Sequence, residues 1–173
     1  MNLAQGKKMR VLTQSELKEN LHYNPETGFF TWIKVSKYGG VKNGDLAGTL
    51  SAEGYIVIKI DKTLYKAHRL AWLYMTGEMP THFIDHINGD RADNRFENLR
   101  QATWKENAHN QRKPQKNNKS GFLGVTYCAP LQKFKSTITN NKKLKHLGYF
   151  ATPEEAHQAY LEAKRKIHDF CTI

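Results

Sequence analysis

Apolar and polar positions follow two different periods along this chain, and the changes of period mark its elements. Ser15 to Leu21 reads as one short helix, ended by Asn24-Pro25, because the residue before a proline resists the helical region. Gly28 to Ile33 reads as a strand, and Lys37 to Gly48, with four glycines, as a loop. Gly54 to Ile60 alternates and is β-branched. Asp61-Lys62-Thr63 then turns into a second strand, Leu64 to Ala67, which predicts a hairpin. His68 to Thr76 is a compact apolar helix, capped by Gly77 and stopped by Pro80.

Further along, Asp85-His86 end a short apolar run, and Asn88-Gly89 is a turn signal. Asn98-Leu99-Arg100 begins another strand, and Thr103 to Glu106 is a capping box that starts a helix at Trp104. Gln111 to Ser120 is polar and basic with no apolar residue, which is linker chemistry. From Gly121 the pattern reads strand, strand, strand, helix. Thr152 caps that helix, Pro153 opens it and Glu155 completes a capping box. Ala156, Ala159, Tyr160, Ala163 and Ile167 form one apolar stripe, enough to cover a small sheet.

The expected fold class is α+β. The expected domains are a flexible tail at 1–14, a first domain at 15–111, a linker at 112–119 and a second domain at 120–173. Residues 15–67 carry the weakest signal and are expected to support the rest of the first domain or extend its surface.

Charge changes this picture. The net charge is +11, and residues 111–173 carry +8 of it against +3 for residues 1–110. So basic a C-terminal third suits a polyanion, nucleic acid before others. The two cysteines, Cys128 and Cys171, are not spaced as a metal clip, and a reducing cytoplasm fits them. No apolar run approaches a bilayer span, so no membrane partner is expected.

Between Ile84 and Asn110 the residue types suit phosphodiester hydrolysis. His86 can take a proton from water near neutral pH. Asp85 and Asn107 offer hard oxygen ligands that suit Mg²⁺ or another divalent cation such as Mn²⁺, and without a nearby cysteine zinc suits the set less well. Each residue also has a plainer reading. An Asp-His pair occurs by chance, Asn107 could be a surface helix residue, and Asn98 is better placed to brace a loop than to react. His68 reads as a satisfied core histidine ahead of a site contact.

The residues His68-Arg69-Leu70, Ile84-Asp85-His86-Ile87-Asn88-Gly89-Asp90, Asp93-Asn94-Arg95, Asn98-Leu99-Arg100, Glu106-Asn107 and Asn110 resemble the HNH homing endonucleases of bacteriophages and prophages. The resemblance implies a ββα-metal core, at about residues 81–111, holding a single divalent ion. Carried over residue by residue, it makes Asp85 a metal ligand, His86 the general base, Asn98 the loop brace and Asn107 the second ligand. The copy therefore reads H-N-N, and His109 is not taken as the final motif residue. Arg69, Arg91, Arg95 and Arg100 are candidates to hold phosphates, with a merely solvated charge as the alternative for each.

Residues 119–173 resemble the DNA-binding domain of plant ethylene-response factors, the APETALA type. The match lies in Lys119-Ser120-Gly121, Gly124-Val125, Lys133-Phe134-Lys135, Ile138, His146 to Phe150, Thr152, Glu154-Glu155-Ala156 and Ala159-Tyr160. It implies a three-stranded antiparallel sheet laid in the major groove with the helix behind. Alternation alone turns Phe134, Ser136 and Ile138 towards the helix and Lys135, Thr137 and Thr139 outward. Thr126 and His146 join the outward face, and Lys133, Lys142, Lys143 and Lys145 supply phosphate contacts. Electrostatic anchoring without sequence reading is the alternative.

The expected protein is thus a metal-dependent HNH endonuclease acting on double-stranded DNA, with a catalytically inactive DNA-binding regulator as the competing reading. An RNA-directed protein is disfavoured, because the deep, narrow major groove of A-form RNA does not admit such a sheet. Two unlike modules suit a monomer on an asymmetric site.

Overall fold

The computed structural model describes residues 11–34, 40–114, 117–141, 143–168 and 171–172. Residues 1–10 of the tail expected at 1–14, part of the glycine-rich loop at 35–39 and the candidate Lys142 lie outside them, whereas Leu12 is buried and Gln14 already belongs to the first helix. The described residues are mixed helix and sheet, in several small sheets. They fall into two compact units, one drawn from Met1–His86 and Asp90–Gln101, the other from Ile87–Gly89 and Ala102–Ile173.

The first unit opens with α1 (Gln14–Asn20), which begins at a Thr13–Glu16 capping box that frees two backbone N–H groups from solvent dependence. Strand β1 (Leu21–Tyr23) pairs antiparallel with β2 (Phe30–Trp32), which pairs with β3 (Leu46–Ala47). β1 and β3 were not anticipated. With three residues and two, they are too short to show alternation, and their partners hold them. A second sheet joins β4 (Thr49–Leu50), β5 (Ile56–Ile60) and β6 (Thr63–Lys66).

The predicted hairpin is present, but β6 starts at Thr63 rather than Leu64. Asp61 and Lys62 both have positive φ, 46° and 67°, and Ile60 pairs with Thr63. That is a two-residue turn whose twist matches the strands. Helix α2 (Ala67–Thr76) follows directly and stops at Gly77 in the left-handed conformation. Leu17, Leu21, Tyr23, Phe30, Ile58, Leu70, Ala71 and Leu73 form one core, packed from α1, both sheets and α2. Against it lie β7 (Phe83–His86) and, after a loop and a short 3-10 turn at Phe96–Asn98, the start of β8 (Leu99–Ala102), the two strands forming a sheet of their own.

Residues 21–30 also hold that loop in place. Tyr23 Oη donates to the Asn94 carbonyl at 2.6 Å, and burial, with Asp93 adding to it, raises its pKa so that it stays a donor. Phe96 N–H donates to the Pro25 carbonyl at 3.1 Å. Gly28, at φ 75°, lies so close that a Cβ would sit 2.5 Å from the Arg95 nitrogen. The weakly patterned N-terminal region therefore supports the loop between β7 and β8.

In the second unit α3 (Trp104–His109) begins at the predicted Thr103–Glu106 capping box. Strands β9 (Val125–Cys128), β10 (Lys133–Asn140) and β11 (Lys143–Phe150) make an antiparallel sheet with β10 central. Helix α4 (Pro153–Ile167) starts at the predicted Thr152–Glu155 box and packs on all three strands. Gly124 touches that helix so closely that a Cβ would lie 2.0 Å from the Tyr160 ring.

Candidate functional site

In the first unit a cluster of polar groups sits at the end of β7, where an apolar strand runs out and delivers Asp85 and His86 in succession. His86 is 5% exposed and Asp85 7%. Asp85 Oδ2 accepts from Arg100 Nε at 3.0 Å and Nη2 at 2.9 Å. Arg100 lies on β8, so this ion pair joins the two strands.

His86 Nε2 lies 3.4 Å from Asn94 Oδ1. The Asn94 amide is oriented by its own Nδ2, which donates to the Ala92 carbonyl at 3.0 Å and so turns Oδ1 towards the imidazole. An acceptor there places the proton on Nε2 and leaves the lone pair on Nδ1. Burial lowers the His86 pKa, against the raising effects of the Asn94 bond and of Asp85, Asp90 and Asp93. The ring is therefore neutral at pH 7, the form a general base needs.

Asn98, buried, donates from Nδ2 to the Asp93 carbonyl at 2.8 Å and ties the end of the loop to its middle. Asn94 stands within a motif in the sequence but has no evident part there. Its role is not visible at that level because nothing within a few residues shows which side chain will meet His86.

A second histidine joins the cluster. His68, on α2, is 5% exposed, and its ring stands at 87° to that of His86 with centroids 4.9 Å apart. The reading of His68 as a satisfied core histidine is corrected here, for its buried Nδ1 has no hydrogen-bond partner among the described residues. Burial, then the charges of His86, Lys66 and Arg69, push its pKa down to about 3. An unpaired buried polar atom of this kind costs the fold about 1–3 kcal/mol. Tyr55 closes the cluster, 5.2 Å from His68 and 6.1 Å from His86, with Lys66 and Arg91 over its ring at 4.0 and 4.9 Å.

The candidate phosphate-binding arginines all have intramolecular partners. Arg69 donates to the Pro80 carbonyl at 2.9 Å, Arg91 to the Glu53 carbonyl at 2.9 Å, and Arg95 pairs with Asp93 and Glu97, each at 2.8 Å. With Arg100 on Asp85, these four side chains build the loop and its walls.

In the second unit Asn107 is exposed on α3, its N–H bonded to the Thr103 carbonyl at 2.9 Å. His109 stacks on His168, 3.9 Å apart and nearly parallel. Among the described residues no three His, Cys, Asp or Glu side chains cluster as a metal-holding group, a grouping to which an amide ligand would not contribute.

Cross-strand register sorts the C-terminal sheet. Lys135 stands opposite both Thr126 and Tyr149, and Thr137 opposite His146, so these five share the face away from α4. A bulge between Ser136 and Thr137 keeps His146 on it. Lys133 stands opposite Cys128 on the same face, whereas Lys145 pairs with Ile138 and Lys143 with Asn140 on the helix side, where both lysines remain exposed. Tyr149, 4.7 Å from His146, was not anticipated there.

A protein-family model described as HNH endonuclease matches residues 65–109, a span that contains His68, Asp85, His86, Asn94, Asn98 and Asn107. The chain thus carries an HNH endonuclease domain. It belongs to the family of "Protein 3.8" of Escherichia phage T7, with which it is 35% identical over 86 residues, 47% of this chain and 70% of that relative. No solved structure matches it. No described helix is long and apolar enough to cross a membrane.

Proposed function

We propose that this chain is a divalent-metal-dependent HNH endonuclease of the homing type that hydrolyses phosphodiester bonds of double-stranded DNA. One observation carries the reading: His86, neutral and held in one tautomer by Asn94, stands beside Asp85 inside the matched domain. His86 Nδ1 takes the proton of the attacking water. Arg100 holds Asp85 by one carboxylate oxygen, and Asn98 fixes the loop between them.

By the resemblance to HNH enzymes, Asp85 and Asn107 would be the residues that hold the cation. The donor set fits a hard ion, Mg²⁺ or Mn²⁺, because it offers carboxylate and amide oxygens and no thiolate. Bound there, the ion would neutralise charge on the phosphate and polarise the leaving 3′-oxygen.

The C-terminal sheet, read as an APETALA-type module, would lay Thr126, Lys135, Thr137 and His146 in the major groove with Lys133 on a phosphate, whereas Lys143 and Lys145, expected as phosphate contacts, stand on the helix side of the sheet. The homing assignment rests on the resemblance to phage and prophage enzymes and on the phage relative. A monomer acting in the host-cell cytoplasm fits this reading.

The Asp85–Arg100 ion pair favours one alternative, a DNA-binding regulator that no longer cleaves, since the guanidinium already neutralises the carboxylate. Incubation with supercoiled phage DNA separates the two. The nuclease reading expects Mg²⁺-dependent nicking or linearisation, reduced ~10²–10⁴-fold in His86→Ala, and lost in Asp85→Ala, with binding retained in both. Binding without cleavage across several divalent metals would leave the regulator.

A further inference from the structure

Resting on the nuclease reading and deepening it, we propose that Lys66 and Arg91, both carried on the ring of Tyr55, are positioning residues that hold backbone phosphates of the DNA strand His86 attacks.

The sheet of β4, β5 and β6 has two unlike faces. Ile58 and Ile60 are buried in the core, so alternation turns Val57 and Lys59 to the other side. Val57 stands opposite Lys66 and Lys59 opposite Leu64, which completes that outer face along the hairpin. It bears Lys59 and Lys66, both exposed, and no acidic side chain, so its charge complements a polyanion. Tyr55, just ahead of β5, joins this face to the catalytic cluster, its ring 5.2 Å from that of His68 and 6.1 Å from that of His86. Over the same ring lie Lys66 Nζ at 4.0 Å and the Arg91 guanidinium at 4.9 Å.

The charges of this pair are what point to a phosphate. Two cations on one ring repel each other, and neither meets a carboxylate among the described residues. Arg95 and Arg100 differ, for Asp93, Glu97 and Asp85 neutralise them. Arg91 donates to the Glu53 carbonyl, which fixes the side chain and leaves its charge intact. An aromatic ring attracts a cation without neutralising it, whereas a phosphate oxygen does both. Because the ring already holds both side chains, less of their freedom is lost when DNA arrives. They touch the backbone beside the cut and not the reacting atoms. Their contribution is therefore binding that ground state and transition state share.

The test uses the full chain and a linear double-stranded fragment of phage DNA. Binding is titrated in EDTA over about 50 to 200 mM salt, so that it needs no cleavage. Lys66→Gln and Arg91→Gln should each lower the slope of log K against log salt by roughly 0.9, and the double variant by roughly twice that. Lys66→Arg keeps the charge and should keep the slope. Lys18→Gln removes an exposed lysine from over another ring, that of Tyr74, and should also leave the slope unchanged. Both Lys66 and Arg91 are exposed, so Tm should hardly move. In Mg²⁺ the double variant should raise KM for supercoiled DNA roughly tenfold and leave kcat within about twofold. An unchanged slope in the double variant overturns the proposal. So does an equal fall in Lys18→Gln, or a loss confined to kcat. If the slopes fall as expected while the wild type cuts in no divalent metal, the phosphate contacts stand and the nuclease reading fails.

Discussion

A carboxylate beside an imidazole ordinarily draws it towards the charged form, yet burial outweighs Asp85 at His86, and the ring stays neutral. Burial does more at His68, where no carboxylate opposes it. The sign of the consequence for stability follows from proton counting. His68 is lowered from 6.5 to about 3 in the folded chain, so between those values the unfolded chain binds more protons. Stability is then fully present above about pH 6.5 and falls as the pH drops towards 3, at up to ~1.4 kcal/mol per pH unit. His86 and His109, both also lowered by burial, act in the same direction. Thermal melts between pH 7 and 4 should show the loss, and His68→Phe should flatten it. An equally steep loss in the variant would place the acid sensitivity at the other two histidines.

At the scale of elements, the strand-loop-strand that carries Asp85, His86, Asn94 and Asn98 is braced from outside itself. The β1–β2 turn supplies the Pro25 carbonyl and Gly28, while Tyr23 on β1 supplies its hydroxyl. Gly28→Ala combines a positive φ with a clash against the backbone of Asn94 and Arg95. It should therefore destabilise the protein by on the order of 1–3 kcal/mol, with a lowered denaturation midpoint. Cleavage should fall more than stability does, because the displaced backbone carries the amide that orients His86. A variant of unchanged stability and activity would show that this brace is dispensable. The helices were legible in advance because their signals are local. The Thr103 and Thr152 capping boxes and the Gly77 stop lie where the sequence placed them. β1, β3 and β4 were not, because so few residues carry no period of their own.

Across the whole molecule, charge is the property that composition already gave, and the structure distributes it. The described arginines of the first unit are bonded to carbonyls and carboxylates. Lys133, Lys143 and Lys145 of the C-terminal sheet are exposed, and Lys135 is half-exposed on the face away from α4. Replacing Lys133 and Lys135, both on the face away from α4, by Gln should reduce the slope of log K against log salt by roughly 0.9 for each phosphate that is no longer neutralised, up to about 2 in all. DNA-binding titrations from 50 to 200 mM salt would measure it, and an unchanged slope would remove the sheet from the DNA interface. One cation in this unit is internal. Lys164, 1% exposed, donates its Nζ proton to the Gln111 carbonyl, and Arg112 Nη2 reaches the carbonyls of Ile87 and Thr172. From the sequence, Lys164 is one of three consecutive basic residues and looks solvated.

By itself the sequence determined where the chain turns, where its helices begin, which residues could accept a proton, and that its C-terminal third is basic. Those properties depend on neighbours within a few residues, or on composition alone. Only tertiary structure decided that Asn94 meets His86, that His68 stands beside it with Nδ1 unpaired among the described residues, and that Arg69, Arg91, Arg95 and Arg100 already have partners. Each of these joins residues many positions apart. Their energies come from burial and directional contact, and neither exists until the strands and helices have packed.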